Sequence, residues 1–141
     1  MPFRIRNILV ASDLSPSESA VLRSASALAA LTEAELHVIH ALEEGTLEGP
    51  AMEQRIRSAE DDLRANLRRA LPATMDVSSS RVWPGSAHKA ILERAREVDA
   101  DLIVIGPHRR RDSRHEALGT TADRLVRTTS IPSMIVRRPI S

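Results

Sequence analysis

The stretch that decides the fold is Leu102-Ile103-Val104-Ile105-Gly106, an aliphatic run followed at once by a glycine. An uninterrupted run of this kind, rich in β-branched residues, is typical of a strand covered on both faces. On either side of it, strand-length apolar runs alternate with segments in which apolar residues recur at helical spacing. The other predicted strands are residues 5–11, 36–41, 77–82 and 133–137. This βαβαβαβαβ order predicts a parallel sheet with helices on both faces.

The connections that follow the predicted strands are where a site is expected. In doubly wound sheets, ligands bind beyond the carboxyl ends of the strands, where the strand order reverses. The loops after the first, second and fourth strands are therefore the candidates. The third strand contains Ser78-Ser79-Ser80, and this polarity favours a position at the edge of the sheet.

Length and composition exclude several classes of protein. The chain has 141 residues, which suits one domain over residues 1–141. Twenty basic against 19 acidic residues leave no overall charge that would attract nucleic acid or an anionic membrane. One Trp and one Phe disfavour base-stacking modules, and the absence of cysteine excludes disulfides and thiol catalysis. No apolar run approaches the ~20 residues of a membrane span, so we expect a soluble, cytoplasmic protein.

The residues after the first strand combine a helix start with a candidate ligand contact. In Ser15-Pro16-Ser17-Glu18 the first serine is a natural N-cap, proline suits the first helical position and Glu18 completes a capping box. Asp13, just past the strand, is placed to accept hydrogen bonds from ribose hydroxyls or an adenine amino group. Because Ser15 already caps the helix, ligand contact is favoured over capping for Asp13.

The loop after the fourth strand joins Gly106 to Gly119-Thr120, where the next helix begins. A helix N-terminus has unpaired N–H groups and a partial positive charge, and both favour a phosphate. Four arginines make the intervening residues basic, which also suits an anion. The alternative is that Gly119-Thr120 only caps the helix and the arginines are solvated.

The five histidines do not suggest a metal site. His37 and His40 lie on opposite faces of the second strand, and His108 and His115 lie among arginines that repel a cation. We interpret these four and His88 as satisfied or solvated side chains.

The chain resembles the universal stress protein family in several segments. They are residues 8–20 (ILVASDLSPSESA), 36–40 (LHVIH), 101–108 (DLIVIGPH), 118–127 (LGTTADRLVR) and 131–137 (IPSMIVR). The resemblance implies an α/β fold of the adenine-nucleotide α-hydrolase type, in which a five-stranded parallel sheet has the order 3-2-1-4-5 and helices on both faces.

The family's ATP-binding members carry a glycine motif that this chain matches in part. The motif is glycine, two residues, glycine, nine residues, then glycine followed by serine or threonine. Gly106 and Gly119-Thr120 match its two ends, but Arg109 stands at the middle glycine. A side chain there opposes positive φ and close approach of the backbone to phosphate. Arg109 either fills the phosphate site and excludes a triphosphate or turns outward and grips a phosphate.

The resemblance also implies a binding site for ATP, alone or with magnesium. Asp13 is expected to meet adenine or ribose, with Ala11 and Ser12 along the base and the backbone of Val38 at its edge. Ile105 is expected to pack beneath the base, and His108 and Thr121 to border the phosphates. The candidate residues are Ala11, Ser12, Asp13, Val38, Ile105, Gly106, His108, Arg109, Gly119, Thr120 and Thr121.

Strand five, residues 133–137, is short, apolar and last in the implied order, so its outer backbone edge is unpaired. The resemblance implies a homodimer through this strand. The alternative is an edge kept monomeric by Pro132 and by Arg137-Arg138-Pro139.

For function, we expect a stress-response protein that acts by nucleotide occupancy, not an enzyme, with at most weak ATP hydrolysis. The alternative is a nucleotide-free dimeric interaction protein in which Arg109 occludes the phosphate site. A hydrolase or nucleotidyl transferase is disfavoured because residues 12–17, after the first strand, lack a glycine.

Overall fold

The computed structural model describes residues 3–15, 18–43, 47–107 and 120–137. Their strands are β1 (Asn7–Ser12), β2 (Glu35–Leu42), β3 (Val77–Pro84), β4 (Leu102–Ile105) and β5 (Ser133–Ile135). Their helices are α1 (Ser19–Thr32), α2 (Gly49–Ala70), α3 (Ala87–Glu97) and α4 (Thr120–Thr128). The strands are parallel, in the order β3-β2-β1-β4-β5, so the predicted fold class and strand order are confirmed. Within these ranges, no helix is both long enough and apolar enough to cross a bilayer.

The central strand β1 contributes to two hydrophobic cores because its successive side chains point to opposite faces of the sheet. Ile8 and Val10 pack with Leu22 of α1 and Leu63 of α2. Leu9 packs on the other face with residues of α3 and α4. Burial on both faces explains why the central strands are continuous apolar runs.

The two edges of the sheet differ in how well the sequence predicted them. β3 pairs with β2, and its residues are exposed or half-buried, as the three serines predicted. β5 is shorter than the predicted 133–137, since its regular strand ends at Ile135. Val136 nevertheless donates its N–H to Ile105 O at 2.8 Å and continues the contact with β4.

Helix α4 packs against the sheet through one narrow face. Ala122 and Leu125, three residues apart, are buried, whereas Val126 is 45% exposed. Residues three apart share a face of a helix, and Val126 is turned by about 100° from Leu125.

Buried and half-buried polar side chains bond to one another at the amino ends of the strands. Arg94 Nη2 donates to Ser79 Oγ at 2.8 Å, Ser79 Oγ lies 2.6 Å from His37 Nδ1, and His37 Nε2 lies 3.3 Å from Asn7 Oδ1. We call these four residues the amino-end cluster. Burial lowers the pKa of His37; the Glu35 carboxylate opposes this shift and the Arg94 guanidinium adds to it.

Candidate functional site

A cavity of about 650 Å³ lies beyond the carboxyl ends of β1, β2 and β4. The chain order reverses there, because β1 lies between β2 and β4 in the sheet. Residues at the starts of α1, α3 and α4 complete its wall. This volume is typical of small-molecule sites, and the position agrees with the loops selected from the sequence.

The turn after β1 brings Asp13 to the cavity. Asp13 is exposed, and its Oδ1 accepts a 2.9 Å hydrogen bond from Ser15 N. Leu14, between them, has a φ of 59°, a left-handed conformation that costs a residue with a side chain about 1–2 kcal/mol. Asp13 thus closes a turn with Ser15. Helix α1 begins after this turn, at Ser19.

Glu18 turns inward instead of closing the predicted capping box. Its side chain accepts hydrogen bonds from Ser12 Oγ, from Leu14 N at 3.1 Å and from Asn66 Nδ2 at 2.8 Å, and the residue is 5% exposed. Three donors satisfy the buried carboxylate and hold Leu14 in its left-handed conformation. The capping prediction was wrong for Glu18, because its partners lie in β1, in the following turn and in α2, and Ser15 N–H donates to Asp13 instead.

The end of β2 contributes two polar residues that were not among the candidates. His40 is 9% exposed, and its Nδ1 lies 2.8 Å from the carbonyl oxygen of Ser12, its register partner on β1. Glu43 Oε1 accepts a 2.7 Å hydrogen bond from Ala87 N in the first turn of α3. A carboxylate is favoured there by the helix dipole. Glu43 therefore fixes the end of β2 to the start of α3 at the cavity wall.

Gly106 has a packing role that is independent of any ligand. A Cβ on this residue would lie 2.9 Å from Cγ2 of Val21, a buried side chain of α1. Valine is stiff at χ1, so it yields little space. The close approach of β4 to α1 therefore requires glycine at this position.

Charged groups of both signs line the cavity, and they come from different elements. Asp13 and Glu43 follow β1 and β2, and Glu18 bonds to Ser12 of β1; we call this part of the wall the acidic end. Arg124 of α4 and Arg137, which follows β5, form the part that we call the arginine end. In the sheet, β2 and β5 are separated by β1 and β4. The cavity therefore suits a ligand that is neutral and rich in donors at one end and anionic at the other.

Most of the candidate residues line the cavity. They are Ala11, Ser12, Asp13, Ile105, Gly106, Thr120 and Thr121. Val38 is not in the wall: it is fully buried in mid-strand, paired with Val10 and Ser80 on its two sides. His108, Arg109 and Gly119 lie outside the described residues. In the part of the chain that the structure describes, no group of three His, Asp or Glu side chains is arranged to hold a metal ion.

The residues that sequence reasoning missed lie at the cavity because of tertiary contacts. Glu18, His40 and Glu43 bond to Asn66, to the Ser12 carbonyl and to the start of α3, respectively. One signal was present: His40 and Glu43 flank the carboxyl end of the second predicted strand, where ligands bind in such sheets.

The chain is similar to proteins of one family. The model of the universal stress protein family matches residues 4–137. Universal stress protein A homolog 1 of Coxiella burnetii is 32% identical over 110 residues, or 73% of this chain and 76% of that protein. A solved universal stress protein in complex with cAMP is 23% identical, with a TM-score of 0.65 over 97% of this chain and 100% of that one. A universal stress protein of Archaeoglobus fulgidus in complex with dAMP is 21% identical, with a TM-score of 0.60 over 94% and 98%.

Proposed function

Because this chain belongs to the universal stress protein family, we propose that its cavity binds an adenine nucleotide. The observation that carries the proposal is that one cavity is lined by carboxylates from the ends of β1 and β2 and by arginines from α4 and the end of β5. A nucleotide is divided in the same way, with a neutral base and ribose at one end and anionic phosphate at the other. The relatives solved with cAMP and dAMP hold ligands of this chemical class, which supports the proposal.

The acidic end suits the base and the ribose. A carboxylate has acceptor capacity beyond one hydrogen bond, so Asp13 can bind ribose hydroxyls while it keeps its bond to Ser15 N. Ile39 and Ile91 supply apolar surface to the same cavity, against which a flat base packs. A phosphate at this end would meet three carboxylates and be repelled.

The arginine end suits the phosphates. Thr120 and Thr121 lie in the first turn of α4, where backbone N–H groups and the helix dipole attract an anion. Arg124 and Arg137 add positive charge. We take ATP, alone or with magnesium, as the ligand because Gly106 and Gly119-Thr120 keep the spacing of the family's ATP motif.

Binding without turnover follows from the same separation of charge. The carboxylates that could act as a general base are at the acidic end, and the carboxylate of Glu18 is engaged by three donors. None of the three carboxylates lies on the elements that would hold the phosphate, α4 and the residues after β5. The output of the protein is then nucleotide occupancy, with at most slow hydrolysis.

The proposal includes a homodimer through the outer edge of β5. Val136 N and Pro132 O are bonded to β4, so the backbone groups of Ser133 and Ile135 point to the outer edge. Ser133→Pro removes one outward N–H and should lower the mass measured by light scattering from dimer to monomer. An unchanged dimer mass would place the interface elsewhere.

Calorimetry of the nucleotide-stripped protein tests the nucleotide site. We expect micromolar affinity for Mg-ATP and weaker binding of GTP. The affinity for AMP, measured in the same way, shows how much the β- and γ-phosphates contribute to binding. Arg109→Gly should strengthen ATP binding if the arginine blocks the phosphate site, and weaken it or leave it unchanged if the arginine grips phosphate. No heat at millimolar ATP for the wild-type protein would overturn the proposal and favour a nucleotide-free interaction protein.

A further inference from the structure

The ring of His40 is held rigidly at the acidic end of the cavity. The residue is 9% exposed and lines the cavity. Its Nδ1 lies 2.8 Å from Ser12 O, and the Ser12 side chain is itself bonded to buried Glu18. The ring is thus positioned by the neighbouring strand and not by the ligand.

The contact with Ser12 determines the tautomer of this histidine. A carbonyl oxygen only accepts hydrogen bonds, so Nδ1 carries the proton. In a neutral imidazole the remaining nitrogen, Nε2, then has a lone pair and accepts. His88 differs, because its Nε2 lies 2.9 Å from Thr128 Oγ1 and serves the contact between α3 and α4.

Two donors of the cavity wall near the ends of β1 and β2 are already engaged by protein carboxylates. Ser12 Oγ donates to Glu18, and Ala87 N donates to Glu43. The acidic end therefore presents acceptors to a ligand: the carboxylate of Asp13 and the Nε2 atom of His40. These acceptors favour a base that has a hydrogen-bond donor on the edge facing them, and they disfavour a base that has an acceptor there.

We propose that His40 Nε2 accepts a hydrogen bond from the 6-amino group of adenine and so selects adenine over guanine and hypoxanthine. The inference rests on the proposed nucleotide binding. Adenine has an amino donor at C6, whereas guanine and hypoxanthine have a carbonyl acceptor. Two acceptors that face each other form no hydrogen bond, and the loss of that bond lowers affinity.

The test compares AMP with IMP, which differ only at the 6-position and at N1, by calorimetry on the wild type and on His40→Asn. Asparagine keeps a donor for Ser12 O but has no atom at the Nε2 position. We expect the ratio of AMP to IMP affinity to fall about tenfold, the equivalent of one hydrogen bond. His37→Asn, the same substitution on the same strand but outside the cavity, should leave the ratio unchanged.

A second variant keeps the inference testable if His40→Asn does not fold. Glutamine at position 40 places an amide near Nε2, which rotates to offer either its oxygen or its nitrogen. His40→Gln should therefore bind AMP and IMP about equally. A wild type that binds neither nucleotide overturns the proposed function and this inference together. A wild type that prefers AMP, with the same preference in the folded His40 variants, overturns only the role of His40.

Discussion

The two ends of the sheet use buried polar groups in different ways. In the amino-end cluster the polar side chains bond to one another, and Arg94 also pairs with Glu97 at 3.4 Å. At the cavity the network of Glu18 instead holds a turn in which Leu14 has a φ of 59°. A left-handed leucine persists only where surrounding contacts impose it, and here the contact is the bond from Leu14 N to the buried Glu18 carboxylate. The amino-end cluster contributes to the stability of the sheet. The network of Glu18 also fixes the turn after β1, which lines the cavity.

Removal of the Glu18 carboxylate should give the largest loss of stability, because it removes the network at the cavity end of the sheet. Glu18→Ala leaves Ser12 Oγ, Leu14 N and Asn66 Nδ2 without their buried acceptor. The free energy of unfolding in urea should fall by about 2–4 kcal/mol. Glu53→Ala, an exposed glutamate of α2, is the control and should change it by less than about 0.5 kcal/mol. A loss below about 1 kcal/mol for Glu18→Ala would show that the network does not stabilise the turn.

A side chain at position 106 should have the next largest effect. Gly106→Ala places a Cβ within 2.9 Å of Val21 Cγ2, and overpacking of this kind costs about 1–3 kcal/mol. The double variant with Val21→Ala removes the clash, so the two losses should not add. Additive losses in a double-mutant cycle of unfolding free energies would refute the packing explanation.

The amino-end cluster should make stability depend on pH through His37. Burial lowers the pKa of His37 in the folded state, so the unfolded chain, with an ordinary value of about 6.5, takes up the proton first. Stability is therefore complete above that value and is lost as the pH falls through it toward the folded-state pKa. His37→Asn lacks the titrating group. Equal slopes of unfolding free energy against pH for this variant and the wild type, between about pH 8 and pH 5, would contradict the prediction.

Asp13→Ala should have the smallest effect on stability but a clear effect on nucleotide affinity. Asp13 is exposed and makes one bond within its turn, to Ser15 N, so stability should change by no more than about 0.5–1 kcal/mol. Affinity for adenine nucleotides should nevertheless fall at least about tenfold, the loss of one ribose contact. Asp76→Ala, at an exposed aspartate before β3, serves as the control for both measurements. Unchanged nucleotide affinity in Asp13→Ala would remove Asp13 from the site.

The candidate site was predictable where it depends on the ends of strands. Asp13, Ile105 and Gly106 follow or end apolar runs, and parallel strands bring such positions to one edge of the sheet. Val38 is not in the cavity wall, because it lies further from the carboxyl end of β2 than Ile39 and His40, which line the cavity, and its side chain packs in the core. Resemblance to a family predicts which position along the chain corresponds to a ligand contact. It does not show whether that position lines the cavity in this structure.

Three properties were predictable from the amino-acid sequence alone: the order of the elements, the parallel sheet and the end of the sheet at which a ligand would bind. These properties follow from local periodicity and from the handedness of βαβ connections. Tertiary structure alone decided that Glu18 meets Asn66, 48 positions along the chain, and that Gly106 must be small because Val21 lies against it. It also decided that Ser12 sets the tautomer of His40. The physical reason is that side chains distant in the sequence meet only after the helices pack, and no local pattern of apolar residues records which of them come into contact.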